Sequence, residues 1–143
     1  MLFRSAIAMN PTSQETYRLL GVALTQQGAY EQAERALREA IAIPEESSYA
    51  PAALGYLLAV RGERAEAEAI LLELEVRSRV EYVSPVAFQI VHLGLGNHDQ
   101  SFVWLERAYE GRRGWLAYLK VEPMMDPLRS DPRFAEFVHR MKL

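Results

Sequence analysis

Few residues in this chain have the type and spacing that chemistry requires. His98 and Asp99 stand side by side, and the only other histidines are His92 and His139. A His–Asp pair can belong to a metal site, but only with further His and carboxylate ligands around the ion. The pair therefore reads as a surface turn, and His92 as a half-buried side chain. Leu93–Asn97, LGLGN, offers two glycines, yet no strand precedes them and no Lys-Ser/Thr follows, so a phosphate loop is not expected. No serine lies in a nucleophile-elbow context. There is no cysteine, which excludes disulfides, thiol catalysis and Cys-based metal sites. Glu63, Glu66, Glu68, Glu73 and Glu75 form an acidic cluster that helical spacing spreads over a solvated face. Trp115 and Tyr118 are read as core packing rather than an aromatic box. No catalytic, cofactor-binding or metal-binding residue is assigned, and an enzyme is not expected.

The elements that carry these residues come from bulk properties and periodicity. The 143 residues make one ordinary domain, half hydrophobic, with a net charge of −3. Charge is uneven: residues 1–106 hold 8 basic against 14 acidic residues (−6), and residues 107–143 hold 8 against 5 (+3). Arg107, Arg112, Arg113 and Lys120 lack the aromatic interleaving that would favour nucleic acid. No run approaches 18 apolar residues, so no membrane span is expected. With no cysteine, the protein is placed in the cytoplasm.

The stretch LGVALTQQGAYEQAERALREA, Leu20–Ala40, recurs. Shifted by 34, Tyr17, Leu20, Gly21, Leu24, Gly28, Ala33, Leu37 and Ala40 fall on Pro51, Leu54, Gly55, Leu58, Gly62, Ala67, Leu71 and Leu74. Shifted again, they fall on Pro85, Phe88, Gln89, His92, Gly96, Ser101, Leu105 and Ala108. Six of these eight columns stay apolar, small or Gly, except that His92 enters one; Gln89 breaks a glycine column. Shifted backwards, Leu37 maps to Phe3 and Ile41 to Ile7, so the N-terminus reads as the second half of an earlier repeat rather than a signal peptide. Each repeat has two apolar stripes at helical spacing, split by a Gly among polar residues. Helices are expected at about 14–27, 30–43, 48–61, 64–77, 84–95 and 98–111, with a capping box at Thr12–Glu15 and N-caps at Ser48 and Ser84.

Over residues 3–111 the sequence resembles the tetratricopeptide-repeat family in period and in its L-G, Ala and Gly columns. The resemblance implies an all-α, right-handed α-solenoid of stacked antiparallel helix pairs: three repeats with an N-terminal half-repeat and a C-terminal helical cap. The expected boundaries are 1–11 for the half-repeat, 14–47, 48–81 and 82–113 for the repeats, and 114–143 for the cap, all within one domain, 1–143. Pro123, Pro127 and Pro132 forbid a regular fourth repeat. A short helix is expected over Trp115–Lys120, then an irregular link and a last helix from Pro132 to Met141. Asp131 would cap it, and Phe134, Phe137, Val138 and Met141 would form its apolar face. The tail WLAYLKVEP…DPLRSDPRF is similar to segments that close such arrays in bacterial transcriptional regulators and signalling kinases. That likeness implies a chain that is the terminal part of a larger protein.

In this family the first helix of each repeat lines a concave surface that binds peptides or helices. Here that lining would comprise Glu15, Arg18, Leu19, Val22 and Gln26, then Tyr49, Ala52, Ala53, Tyr56 and Val60, then Val86, Ala87, Ile90 and Leu93. The subgroup that clamps a peptide carboxylate uses Lys, Asn and Arg on these surfaces. Of the corresponding Arg18, Val22, Ala53, Val83 and Ala87, only Arg18 fits, so that role is rejected. The expected function is a non-catalytic protein-interaction module. A peptide or amphipathic helix would lie in an apolar groove made by Arg18, Val22, Tyr49, Ala53, Tyr56, Val60, Val86 and Ile90. The alternative is a self-associating structural or regulatory segment, a homodimer formed through Leu2, Phe3 and Ile7.

Overall fold

Three glycines set the rhythm of the chain. Gly28, Gly62 and Gly96 have φ of 79°, 92° and 77°. The residue after each donates its N–H five residues back, Ala29 to Leu24, Glu63 to Leu58 and Asn97 to His92, at 3.0, 2.8 and 2.9 Å. Each glycine's own N–H reaches three residues back, to Thr25, Ala59 and Leu93. This double closure of a helix end requires a left-handed residue, which glycine supplies without a Cβ penalty.

The computed structural model describes residues 14–43, 48–111 and 125–141. Between and after the glycine turns lie α1 (Gln14–Gln26), α2 (Tyr30–Ala42), α3 (Tyr49–Val60), α4 (Arg64–Ser78), α5 (Pro85–Gly94) and α6 (His98–Gly111). Two further helices follow, α7 (Asp126–Arg129) and α8 (Pro132–Met141). The described residues contain no strand. The fold is an all-α helical repeat. The expected half-repeat at 1–11, the capping box at Thr12–Glu15 and the helix over Trp115–Lys120 fall wholly or partly outside the described residues.

Each first helix packs on its own second helix, and α3 packs on α5 as closely as the partners within a pair. The reason is the missing side chains. A Cβ on Gly21 would lie 2.4 Å from Leu37 Cγ, and one on Gly55 would lie 2.9 Å from Val91 Cγ2 and 3.3 Å from Ile70 Cγ2. Leu37, Leu57, Leu58, Leu74 and Leu105 are fully buried along the resulting axis. Burying each such side chain contributes about 1.5–3 kcal/mol.

Two caps behave as the sequence implies, and one does not. Ser84 Oγ accepts from the Val86 N–H at 3.2 Å, with Pro85 at the first helical position. Asp131 Oδ1 accepts from the Arg133 N–H at 2.9 Å and so caps α8. Ser48 has helical dihedrals (φ −90°, ψ −6°) and makes no cap hydrogen bond, so α3 begins at Tyr49 without a side-chain cap. The link before α8 is also more ordered than expected: α7 forms a single turn, with Met125 and Leu128 buried.

The third pair solves its internal contact differently. Gln89 takes the place of Gly21 and Gly55, and it is completely buried. Its Nε2 donates to Ser101 Oγ at 2.9 Å and approaches Met125 Sδ at 3.5 Å, tying α5, α6 and the start of the cap together. Its Oε1 has no hydrogen-bond partner among the described residues.

The cap helix α8 lies along α6. Arg133 pairs with Asp99 at 2.6 Å, and Arg140 pairs with Glu106. The two pairs are seven residues apart on both helices, in the same order, so α6 and α8 run parallel over two turns. Phe137 is buried beneath the joint and meets Tyr109 edge-on at 6.0 Å, and the Arg133 guanidinium stands 4.6 Å from the Phe102 ring. Since α6 starts at His98 and α8 at Pro132, α8 occupies the place of the second helix of a fourth repeat.

Candidate interaction surface

The first helices α1, α3 and α5 bring the predicted lining residues onto one side of the array, but not as an open groove. Ala53, Tyr56, Val86 and Ile90 are buried, as are Ala52, Ala87 and Leu93. The cause is the approach of α5 to α3. A Cβ at Gly94 would lie 3.0 Å from both the Cα and the carbonyl oxygen of Tyr56, so the two backbones nearly touch there. The small residues expected to leave room for a guest side chain instead let the helices close on each other. The reading of Ala53, Tyr56, Val86 and Ile90 as the floor of an exposed groove is corrected accordingly: they are the seam between α3 and α5.

What stays accessible on this side lies at its margins. Leu19 and Val60 are exposed, and Arg18, Val22 and Tyr49 are half-buried. A chain of contacts links the three first helices through these residues. Glu15 holds Arg18 (Nε to Oε2, 2.9 Å), and the pair draws the Glu15 carboxyl below its ordinary range. The Arg18 guanidinium sits 5.8 Å from the centre of the Tyr49 ring. The Tyr49 hydroxyl donates to Ser84 Oγ at 3.2 Å. One residue, Tyr49, thus bridges from α1 to the start of α5, and its ring is fixed at both ends. Sequence columns did not reveal this bridge, because Tyr49 and Ser84 are 35 residues apart and occupy different columns.

Two of the residues first considered for chemistry, Asp99 and His92, have partners within the repeat array and its cap. Asp99 is paired with Arg133. His92 Nδ1 lies 3.3 Å from Asn97 Nδ2 at the glycine turn, and burial lowers its pKa below the usual imidazole value. Among the described residues no group of three or more His, Cys, Asp or Glu could hold a metal ion. No described helix is long and apolar enough to cross a membrane. Glu34 receives both Arg61 (2.7 Å) and Arg38 (2.8 Å), and these hydrogen bonds lower its pKa. Leu2, Phe3 and Ile7, the residues expected to mediate self-association, lie outside the described residues, as do Arg112, Arg113 and Lys120.

A family model described as tetratricopeptide repeat matches residues 14–46, which include α1 and α2. No curated protein and no solved structure matches the chain. Tetratricopeptide repeats generally mediate protein–protein interaction and are typically non-catalytic.

Proposed function

We propose that this protein is a non-catalytic interaction module that takes a peptide or amphipathic helix of a partner protein across the margin of its inner face. The observation that carries this reading is the Arg18–Tyr49–Ser84 bridge. It fixes an aromatic ring against a cation of α1 that is next in sequence to the exposed Leu19 and one turn from the half-buried Val22, while Val60 stands exposed at the far end of α3. Interfaces concentrate their binding energy in a few anchors of this kind, chiefly aromatic residues and arginine. A peptide lying across α1 and α3 would cover the exposed Leu19 and Val60, set its own apolar side chains against Val22 and Tyr49, and place an acceptor near Arg18. The buried Ala53, Tyr56, Val86 and Ile90 support this margin from below and do not contact the guest. The absence of cysteine and the likeness of the tail to bacterial regulators support a cytoplasmic setting, as the terminal module of a signalling or transcription protein.

The reading is tested with Leu19→Asp combined with Val60→Asp. Both sites are exposed, so far-UV circular dichroism should be unchanged. Capture of partner proteins from the source cell, quantified against the unmodified chain, should fall at least tenfold. Undiminished capture by the double variant would overturn the inner-face assignment.

A further inference from the structure

On the opposite side of the array, α4 carries a second apolar stripe that no described helix covers. Its inner face is made by Ala67, Ile70 and Leu74, all buried against the core. Half a turn away stand Ala65, Ala69, Leu72 and Val76, all exposed; Leu72 is 58% and Val76 50% accessible. Val80, 86% accessible, continues the line beyond the helix end. The spacing of Ala65, Ala69, Leu72 and Val76 alternates four and three, which is the seam of a two-helix coiled coil. The repeat does not impose it. The equivalent positions are Glu31, Arg35, Arg38 and Ala42 in α2, and Asp99, Val103, Glu106 and Glu110 in α6.

The residues flanking the stripe identify its occupant. In heptad terms the positions beside the seam are Glu66 and Glu73 on one side and Glu68 and Glu75 on the other, and all four are exposed. A second copy of α4 would bring glutamates against glutamates in either orientation, which is repulsive. A helix with an apolar seam bordered by Lys or Arg would meet opposite charge on both sides. Within the molecule, α8 already uses arginines on one of its borders in this way: Arg133 and Arg140 pair with Asp99 and Glu106, which stand in the same columns of α6 as Ala65 and Leu72 of α4.

We infer that the outer face of α4 is a docking surface for an amphipathic partner helix whose apolar heptad seam is flanked by basic residues. The seam spans about three helical turns, too short for two free helices to pair in water. α4 is already folded by its inner face, so only the incoming helix must become ordered on binding. Arg64, paired with Glu68 at 3.2 Å, marks the N-terminal limit of the acidic border, and Arg77, paired with Glu81 at 2.6 Å, stands near its C-terminal limit. This surface is separate from the inner margin at Leu19 and Val60, and one chain would engage both at once.

The test uses two synthetic peptides of about three heptads, with the same Leu/Val seam and either Lys or Glu at every flanking position. Fluorescence anisotropy against the full chain should show the Lys peptide binding at least tenfold more tightly than the Glu peptide. Leu72→Ser with Val76→Ser should remove that binding and leave helicity intact. Glu66→Lys, Glu68→Lys, Glu73→Lys and Glu75→Lys together should reverse the preference. Leu19→Asp with Val60→Asp should leave it unchanged. Equal affinity for the two peptides would overturn the inference. So would Lys-peptide binding that survives Leu72→Ser with Val76→Ser, since that is charge attraction alone. Dimerisation of the unmodified chain that Leu72→Ser with Val76→Ser abolishes would also overturn it, in favour of a second copy.

Discussion

The inner side of α3 and the outer side of α4 belong to the same helix pair and have opposite fates. Tyr56 on α3 lies in a column that reads as an open groove, yet it is buried by α5. Leu72 on α4 lies among glutamates that read as a solvated face, yet it is one of an exposed apolar row. The difference is one of neighbours. Successive first helices close on each other because Gly94 and Ala87 present almost no side chain to α3. The outer row of α4 has no helix seated on it among the described residues, whereas two of the matching positions of α6, Asp99 and Glu106, pair with Arg133 and Arg140 of α8. Apolar character tells that a surface will be covered; the size of the facing residues tells whether the chain covers it itself.

The contrast is sharpest at two small residues. Gly94→Val should destabilise the protein by about 3 kcal/mol, because the added carbon meets Tyr56 backbone atoms that cannot move aside. Ala69→Leu, an equal addition of three carbons on the exposed row of α4, should change stability by no more than about 0.5 kcal/mol. Urea unfolding of both variants measures the difference. Equal midpoints would mean that the α3–α5 seam is not closed and that the inner groove is open after all.

A smaller effect is expected where the third pair replaces a glycine with a polar contact. Ser101→Ala leaves the buried Gln89 Nε2 with only the Met125 sulfur, and should cost about 1–3 kcal/mol. Adding Gln89→Leu removes both polar partners and the orphaned Oε1 together. The double variant should recover most of that loss, to within about 1 kcal/mol of the original chain. Thermal unfolding of the single and double variants compares this joint with the glycine joints of the first two pairs. A double variant no more stable than Ser101→Ala would show that the hydrogen bond, not the packing, holds the third pair.

The smallest effect belongs to α8, which is held on α6 partly by exposed ion pairs. The Arg133 side chain and backbone N–H hold the Asp131 carboxyl at about 2, below its ordinary 3.8. Its contribution to the cap is therefore complete above pH 3.8 and is lost as the pH falls towards 2. Hydrogen exchange across that interval should show α8 amides losing protection before those of α1 and α2. Asp131→Asn keeps a capping oxygen without a titrating charge, and should flatten the pH dependence. Simultaneous loss in all helices would mean that the cap is no more weakly held than the repeats.

Much of this was legible from residue types. Gly28, Gly62 and Gly96 announced three helix ends because few other residues accept their φ. Ser84–Pro85 and Asp131–Pro132 marked two helix starts through a capping oxygen followed by a residue that needs no N–H partner. Phe134, Phe137 and Val138 gave the inward face of α8. Ser48 misled because a serine before a helix caps it only if its own backbone is extended, and here it is helical. The register of α8 was also present in the sequence, since Pro132 follows His98 by one period. It was hidden by Pro123, Pro127 and Pro132, which on sequence grounds argue against a regular fourth repeat.

The sequence by itself determined the period, the helix pairs and their turns, because these depend on local conformational preference and on apolar spacing along one chain. Only the tertiary structure decided which apolar faces stay open. That outcome depends on the distance between helices far apart in sequence, set where Gly94 meets Tyr56 and where no described helix covers Leu72.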